Sequence, residues 1–139
     1  MRAVNYSSMN IFNMDQVKEI NNIIKENFIE GKDDAAADSH KTSNVKFVSL
    51  DKIQKHIYPF IDFCLTANNN FYSFDLHPLT SLKKLNYNSY EEGTEYSWHI
   101  DAVPRDPVRD IKLTALLNLS EENYQGGELV LFRGNEFIC

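Results

Sequence analysis

The stretch YSWHID, residues 96–101, places a histidine and an aspartate two positions apart. Successive side chains of an extended strand point to opposite sides, so residues i and i+2 share a face. The pattern therefore predicts a strand that directs Tyr96, Trp98 and Ile100 into a core. The same strand would present His99 and Asp101 side by side on the opposite face.

A neighbouring imidazole and carboxylate suit two ligands of one metal ion, and a mixed nitrogen and oxygen set is typical of non-haem iron. A bare His-x-Asp spacing nevertheless occurs often by chance. The alternative interpretation is a surface histidine that makes a hydrogen bond with a nearby acid at the rim of the protein. The spacing by itself leaves both interpretations of His99 and Asp101 open.

Further strands are predicted around this stretch. The segment 111–119 alternates most regularly, with one apolar face made of Ile111, Leu113, Ala115, Leu117 and Leu119. Weaker alternation predicts strands at 72–76, 81–90 and 128–132. Gly126-Gly127 predicts a turn, and residues 137–139 follow a second turn as the start of another strand.

The N-terminal part has helical periodicity instead. Asn13 and Gln16 form a capping-box pattern, and an apolar stripe follows until Gly31 is expected to end the helix. A short strand is predicted at 45–48. A second helical pattern spans residues 53–65, where Pro59 predicts a kink or two abutting helices. Helices followed by an antiparallel β region predict an α+β fold.

Length and composition restrict the class of protein. The 139 residues predict one domain, with 1–70 mainly helical and 71–139 made of strands. A net charge of -6 argues against nucleic-acid binding. No apolar run is long enough for a membrane span, and no secretory signal is evident at the start. Two distant cysteines fit a reducing compartment, so the predicted location is the cytoplasm.

A family resemblance extends this interpretation. The segment YEEGTEYSWHID, residues 90–101, resembles the Y-x-x-G-x-x-Y-x-x-H-x-D signature of the prolyl 4-hydroxylase-like branch of the Fe(II)/2-oxoglutarate-dependent dioxygenases. The segment LTALLNLSEENYQGGELVLF, residues 113–132, is similar to the family's pattern of strand, acidic loop, Gly-Gly and strand. The resemblance is closest to the PKHD-type hydroxylases.

The resemblance implies a fold and a set of site residues. The expected fold is α+β, with N-terminal helices packed on a partial double-stranded β-helix, or jelly roll, of antiparallel strands. His99 and Asp101 match the first two iron ligands. Tyr90, Thr114 and Asn118 match positions that border the 2-oxoglutarate pocket, although Tyr90 could equally be a half-buried strand tyrosine.

The chain departs from the family pattern after this point. The family's third ligand is a histidine on a later strand, and an arginine beyond it binds the far carboxylate of 2-oxoglutarate. No histidine follows Asp101. The expectation is therefore a C-terminally incomplete domain, truncated before the distal histidine and the arginine.

The implied activity is a Fe(II)-dependent dioxygenase reaction. 2-Oxoglutarate and O2 would be consumed by oxidative decarboxylation, coupled to C–H hydroxylation of an unknown peptide or small molecule. The resemblance leaves ascorbate open as a further cofactor. With two ligands only, we expect little or no turnover from this chain. The alternatives are a non-catalytic jelly-roll binding module and an assembly in which a second chain supplies the missing strands and ligand.

Overall fold

Helices and antiparallel strands alternate along the first two thirds of the chain. The computed structural model describes residues 6–29, 42–79, 83–101, 111–133 and 136–138. Its helices are α1 (Met14–Glu26), α2 (Leu50–Ile53) and α3 (Tyr58–Ala67), and a π-helical turn, Asn68–Tyr72, follows α3. Its strands are β1 (Phe28–Ile29), β2 (Asn44–Ser49), β3 (Lys84–Ser89), β4 (Leu131–Arg133) and β5 (Glu136–Ile138).

Helix α1 begins as predicted but ends earlier. The Asn13 side chain accepts from the Gln16 amide at 3.0 Å, and the Gln16 side chain accepts from the Asn13 amide, which confirms the capping box. The predicted end at Gly31 is wrong. Asn27 caps the helix instead, because its side chain donates to the carbonyl of Ile23 at 2.8 Å, and the chain then enters β1.

Strands β1, β2 and β3 form one antiparallel sheet in that order. Phe28 in β1 lies opposite Val48 in β2. Strand β2 pairs with β3 over its whole length, from Asn44 opposite Ser89 to Ser49 opposite Lys84. The strands predicted at 45–48 and 81–90 are therefore confirmed, the second over residues 84–89.

Pro59 divides the second helical region as predicted. Helix α2 ends at Ile53, and α3 begins at Tyr58 with the proline in its first turn. Proline is tolerated there because the first amides of a helix have no partner within the helix. Among the described residues, no helix is long and apolar enough to cross a membrane.

The core lies between α1, the sheet and the α2 region. Its buried members come from α1, β2, α2 and the following turn: Ile20, Ile24, Val48, Leu50, Ile53 and Ile57. Leu117 and Leu119 pack against this cluster from a distant part of the chain. The core therefore joins the N-terminal helices to the segment around residue 117.

Three of the predicted strands are wrong in this structure. Residues 72–76 leave the π-helical turn into irregular structure, where the Asn68 side chain holds the backbone of Phe74. Residues 96–101 contain one isolated bridge at Tyr96, and no strand is assigned to 111–119. Alternation alone does not make a strand, because the backbone groups also need a neighbouring strand to pair with.

The strand predicted at 128–132 is present only from Leu131, as β4 (Leu131–Arg133), and β5 (Glu136–Ile138) lies where the start of another strand is predicted. Strands β4 and β5 pair antiparallel, with Phe132 opposite Phe137. Helices together with antiparallel strands confirm the α+β class. The arrangement of the described residues is compatible with part of a jelly roll.

The capping box at Asn13 generates a stability prediction. Asn13→Ala removes the acceptor for the Gln16 amide, so the free energy of unfolding should fall by about 1 kcal/mol. Urea denaturation measures the change. The matched control is Asn10→Ala, an exposed asparagine three residues earlier. Equal unfolding free energies for the two variants would contradict the role of the cap.

Burial raises the pKa of the Cys64 thiol. The thiolate is the reactive form, so a raised pKa lowers its fraction at neutral pH. In a Cys139→Ser variant, iodoacetamide should modify Cys64 about tenfold more slowly in the folded protein than in urea. The midpoint of the rate against pH should also lie higher in the folded protein. Identical pH profiles in the two states would contradict the burial.

Candidate metal-binding site

His99 and Asp101 lie side by side. The Nε2 atom of His99 is 3.1 Å from the Oδ1 atom of Asp101, and about a third of each side chain is accessible to solvent (31% and 41%). The predicted neighbourhood of the two side chains is therefore present. It arises without a paired strand, from a bend at Trp98 followed by irregular backbone.

The hydrogen bond of Nδ1 of His99 determines whether Nε2 carries a lone pair or a hydrogen. Nδ1 is 2.8 Å from the carbonyl oxygen of Ser97, which can only accept, so Nδ1 carries a hydrogen. In the neutral ring, Nε2 then holds a lone pair that faces the carboxylate of Asp101. Two electron-rich atoms at this separation repel each other unless a proton or a cation lies between them. The pair is thus arranged to share a positive charge.

The ring of Tyr96 covers one side of His99. The two ring centroids are 3.7 Å apart and the planes are within 14° of parallel. The strand pattern predicts Tyr96 on the opposite face from His99, and this prediction is wrong because residues 96–101 do not extend as one strand. Trp98 and Ile100, predicted to be buried, are 61% and 85% exposed. Tyr96 and His99 are three positions apart, a spacing that a strand pattern assigns to opposite faces. In a bent backbone the same spacing brings the two rings together.

Thr114 joins the pair from a distant segment. Its hydroxyl donates to Oδ2 of Asp101 at 2.5 Å. The carboxylate therefore has Oδ2 held by Thr114 and Oδ1 turned toward His99. The resemblance places Thr114 at the border of the 2-oxoglutarate pocket, which stays a prediction, and the structure shows its contact with the predicted ligand Asp101.

Tyr90 and Asn118 are the other two residues that the resemblance assigns to the cosubstrate pocket. Tyr90 follows the last residue of β3 and is 49% exposed. The Asn118 side chain donates to the hydroxyl of Tyr124 at 2.8 Å and accepts from the amide of Ser120 at 2.9 Å. In the part of the chain that is described, no hydrogen bond joins either residue to His99 or Asp101.

A tight turn connects β3 to the pair. The Thr94 amide donates to the carbonyl of Glu91 at 3.0 Å, and the Thr94 hydroxyl accepts from the Glu91 amide at 2.9 Å. Gly93 has a φ of +80°, a region that favours glycine, which explains the glycine at this place in the motif. Thr42 holds the residue after this turn, because the Thr42 amide donates to the carbonyl of Glu95 at 2.9 Å.

The donor set fits part of an iron site. One imidazole and one carboxylate with adjacent donor atoms match two members of a facial triad. Within the described ranges, no group of three histidine, cysteine, aspartate or glutamate side chains could hold a metal ion. The other histidines, His56 and His77, belong to other parts of the fold, and His40 lies outside the described residues.

Comparison with known proteins identifies one family. Residues 85–138 match the family model described as the 2OG-Fe(II) oxygenase superfamily. The matched range starts in β3 and includes the pair and Thr114, and it covers less than half of the chain. Members of this superfamily typically use Fe(II) and 2-oxoglutarate. No curated protein and no solved structure is significantly similar to the chain. The match supports the 2OG-Fe(II) oxygenase superfamily, and hence an oxidoreductase class, for this region.

Proposed function

We propose that this chain carries iron ligands of a Fe(II)/2-oxoglutarate-dependent hydroxylase of the prolyl 4-hydroxylase-like, PKHD-type branch. His99 and Asp101 are two of its iron ligands. The observation that carries the proposal is the 3.1 Å approach of Nε2 to Oδ1, inside the range that matches the superfamily. The jelly-roll fold expected for this branch is part of the same proposal.

The separation of the donor atoms supports this assignment. Two ligand atoms at about 2.1 Å from one ion, at a right angle to each other, lie about 3 Å apart. The distance between His99 and Asp101 agrees with that value. A cation between the two atoms would also remove the repulsion between the imidazole lone pair and the carboxylate. The same residues, without a cation, form only a weak exposed pair.

The neighbouring side chains have distinct proposed roles. Thr114 orients the carboxylate of Asp101 through Oδ2, as groups behind a metal ligand commonly do. Tyr96 restricts rotation of the His99 ring by stacking on it. Tyr90 is proposed to line the cosubstrate pocket. Asn118 would have to release Tyr124 and Ser120 to reach a cosubstrate, so we assign its polar atoms to the turn that they stabilise.

The chemistry supplied by bound Fe(II) is oxidative decarboxylation of 2-oxoglutarate by O2, coupled to hydroxylation of a substrate C–H bond. This chain's residues contribute the two ligands, their orientation and partial access from solvent. A third ligand would have to come from outside the described residues, since they contain no third metal-binding side chain near the pair. The substrate remains open between a peptide and a small molecule.

Because the described residues bring together only two metal-binding side chains, a second candidate is a non-catalytic module that retains the fold without a complete metal site. Such a module would remain folded and monodisperse without metal. It would show no Fe(II) binding by calorimetry under anaerobic conditions. The two candidates therefore differ in one direct measurement.

Metal binding and turnover should depend on His99. We expect weak Fe(II) binding by the wild type, with little succinate released from 2-oxoglutarate, and loss of both in His99→Ala. Calorimetry measures the binding, and a coupled succinate assay measures the turnover. His56→Ala is the matched control, because that histidine lies 3.7 Å from Glu19 on α1, in another part of the fold. Turnover that survives His99→Ala would contradict the proposal.

Thr114 should affect affinity without being a ligand. Thr114→Val keeps the shape of the side chain but leaves Oδ2 of Asp101 without its donor, so affinity for Co(II) should fall roughly tenfold. Thr114→Ser retains the hydroxyl and should bind nearly as the wild type does. A Co(II) titration followed by visible absorption measures both variants. Equal affinities for valine and serine would contradict the orienting role.

A further inference from the structure

Asn21 is a buried polar residue in the apolar stripe of α1. Its exposed fraction is 2%, and it lies between the core residues Ile20 and Ile24. A buried amide is costly unless its hydrogen-bonding groups are satisfied. The position therefore requires specific partners, and an apolar residue would suit the stripe better if packing were its only role.

The partners of Asn21 come from the region that matches the superfamily. Its side-chain nitrogen donates to the carbonyl of Leu119 and to the carboxylate of Glu121, both at 2.8 Å. Its side-chain oxygen accepts from the hydroxyl of Tyr87 in β3 at 3.2 Å. Lys25, one turn later on α1, approaches the same carboxylate of Glu121 at 3.5 Å. Helix α1 thus holds residues 119–121 through side-chain contacts.

These contacts replace a β-ladder. No strand is assigned to residues 111–120, and none of the described residues pairs with them in a sheet. Leu117 and Leu119, which are partly buried and pack against the core, hold the segment together with the Asn21 hydrogen bonds. Without a ladder, side-chain anchors of this kind help to set the register of the segment.

The register determines which side chain reaches Asp101. From residue 116 to residue 120, burial alternates, with Leu117 and Leu119 inward and Asn118 outward. Thr114 has the same parity as the outward residues and meets Asp101. A slip by one residue would exchange the two sets. The hold on the carbonyl of Leu119 therefore helps to keep Thr114 at the carboxylate.

We propose that Asn21 is a positioning residue for the His99–Asp101 pair, acting through the register of residues 114–121 and the Thr114 hydroxyl. The inference rests on the proposed function, since the pair is its target. It assigns to α1, which lies outside the residues matched by the superfamily, a part in building the site.

The test is a double-mutant cycle on Co(II) affinity. Asn21→Asp keeps the acceptor for Tyr87 and places a carboxylate oxygen against the carbonyl of Leu119 and the acid of Glu121. We expect Co(II) binding to weaken roughly tenfold. In a Thr114→Val background the same change should weaken binding less than about twofold, because that variant already lacks the hydroxyl that bonds Asp101. Asn22→Asp, which puts the same charge on the exposed neighbouring position, should leave affinity unchanged.

The outcomes separate the inference from the proposed function. Absence of His99-dependent Co(II) absorption in the wild type overturns the proposed function, and with it the inference. Wild-type binding that Asn21→Asp leaves unchanged overturns the inference alone. An equal loss in both Thr114 backgrounds also overturns it, because a general loss of structure acts without Thr114.

A second variant covers the case in which Asn21→Asp does not fold, as judged by circular dichroism. Tyr87→Phe removes only the hydroxyl that donates to Asn21 and keeps the ring against Phe28. It should give a smaller loss of Co(II) affinity that again disappears in the Thr114→Val background. An unchanged affinity for Tyr87→Phe, or a loss that persists in that background, overturns the inference.

Discussion

The contact between helix α1 and the rest of the chain is the interaction on which this structure depends. Ile20 and Ile24 provide its apolar part by packing in one cluster with Val48 of β2. Asn21 lies in the same stripe and provides the directional part of the contact. The hydrogen bonds of its side-chain amide fix the position of residues 119–121. Apolar burial is non-directional and would tolerate several placements of that segment. The buried amide selects one of them, because any other placement leaves it unsatisfied.

The candidate site obeys a similar constraint on a smaller scale. His99 donates Nδ1–H to the carbonyl of Ser97, which turns the Nε2 lone pair toward Asp101. Thr114 occupies the other carboxylate oxygen, so the two free donor atoms face each other. With a neutral imidazole, no hydrogen lies between the two atoms to form a hydrogen bond. A cation between them could contact both donor atoms. Residues 85–138, which include this pair, match the 2OG-Fe(II) oxygenase superfamily.

Local signals predicted local structure well. The capping box at Asn13 and the division of the helices at Pro59 are decided by neighbours within a few positions. The predictions for 96–101 and 111–119 were wrong as strands although their alternation is regular. A strand also requires a partner backbone, which is a property of the whole fold and leaves no mark in the segment itself.

For the site, the sequence by itself determined the residue types and their spacing. The tyrosine-glycine pattern, the His-x-Asp pair and the segment 113–132 predicted the superfamily, and the pair supplied His99 and Asp101 as candidate ligands. Only the tertiary structure decided that Thr114 meets the carboxylate, that Tyr96 stacks on the imidazole, and that Asn21 bonds residues 119 and 121. The physical reason is sequence distance. Thr114 lies 13 positions from Asp101, and Asn21 lies 98 positions from Leu119, so no local periodicity connects them.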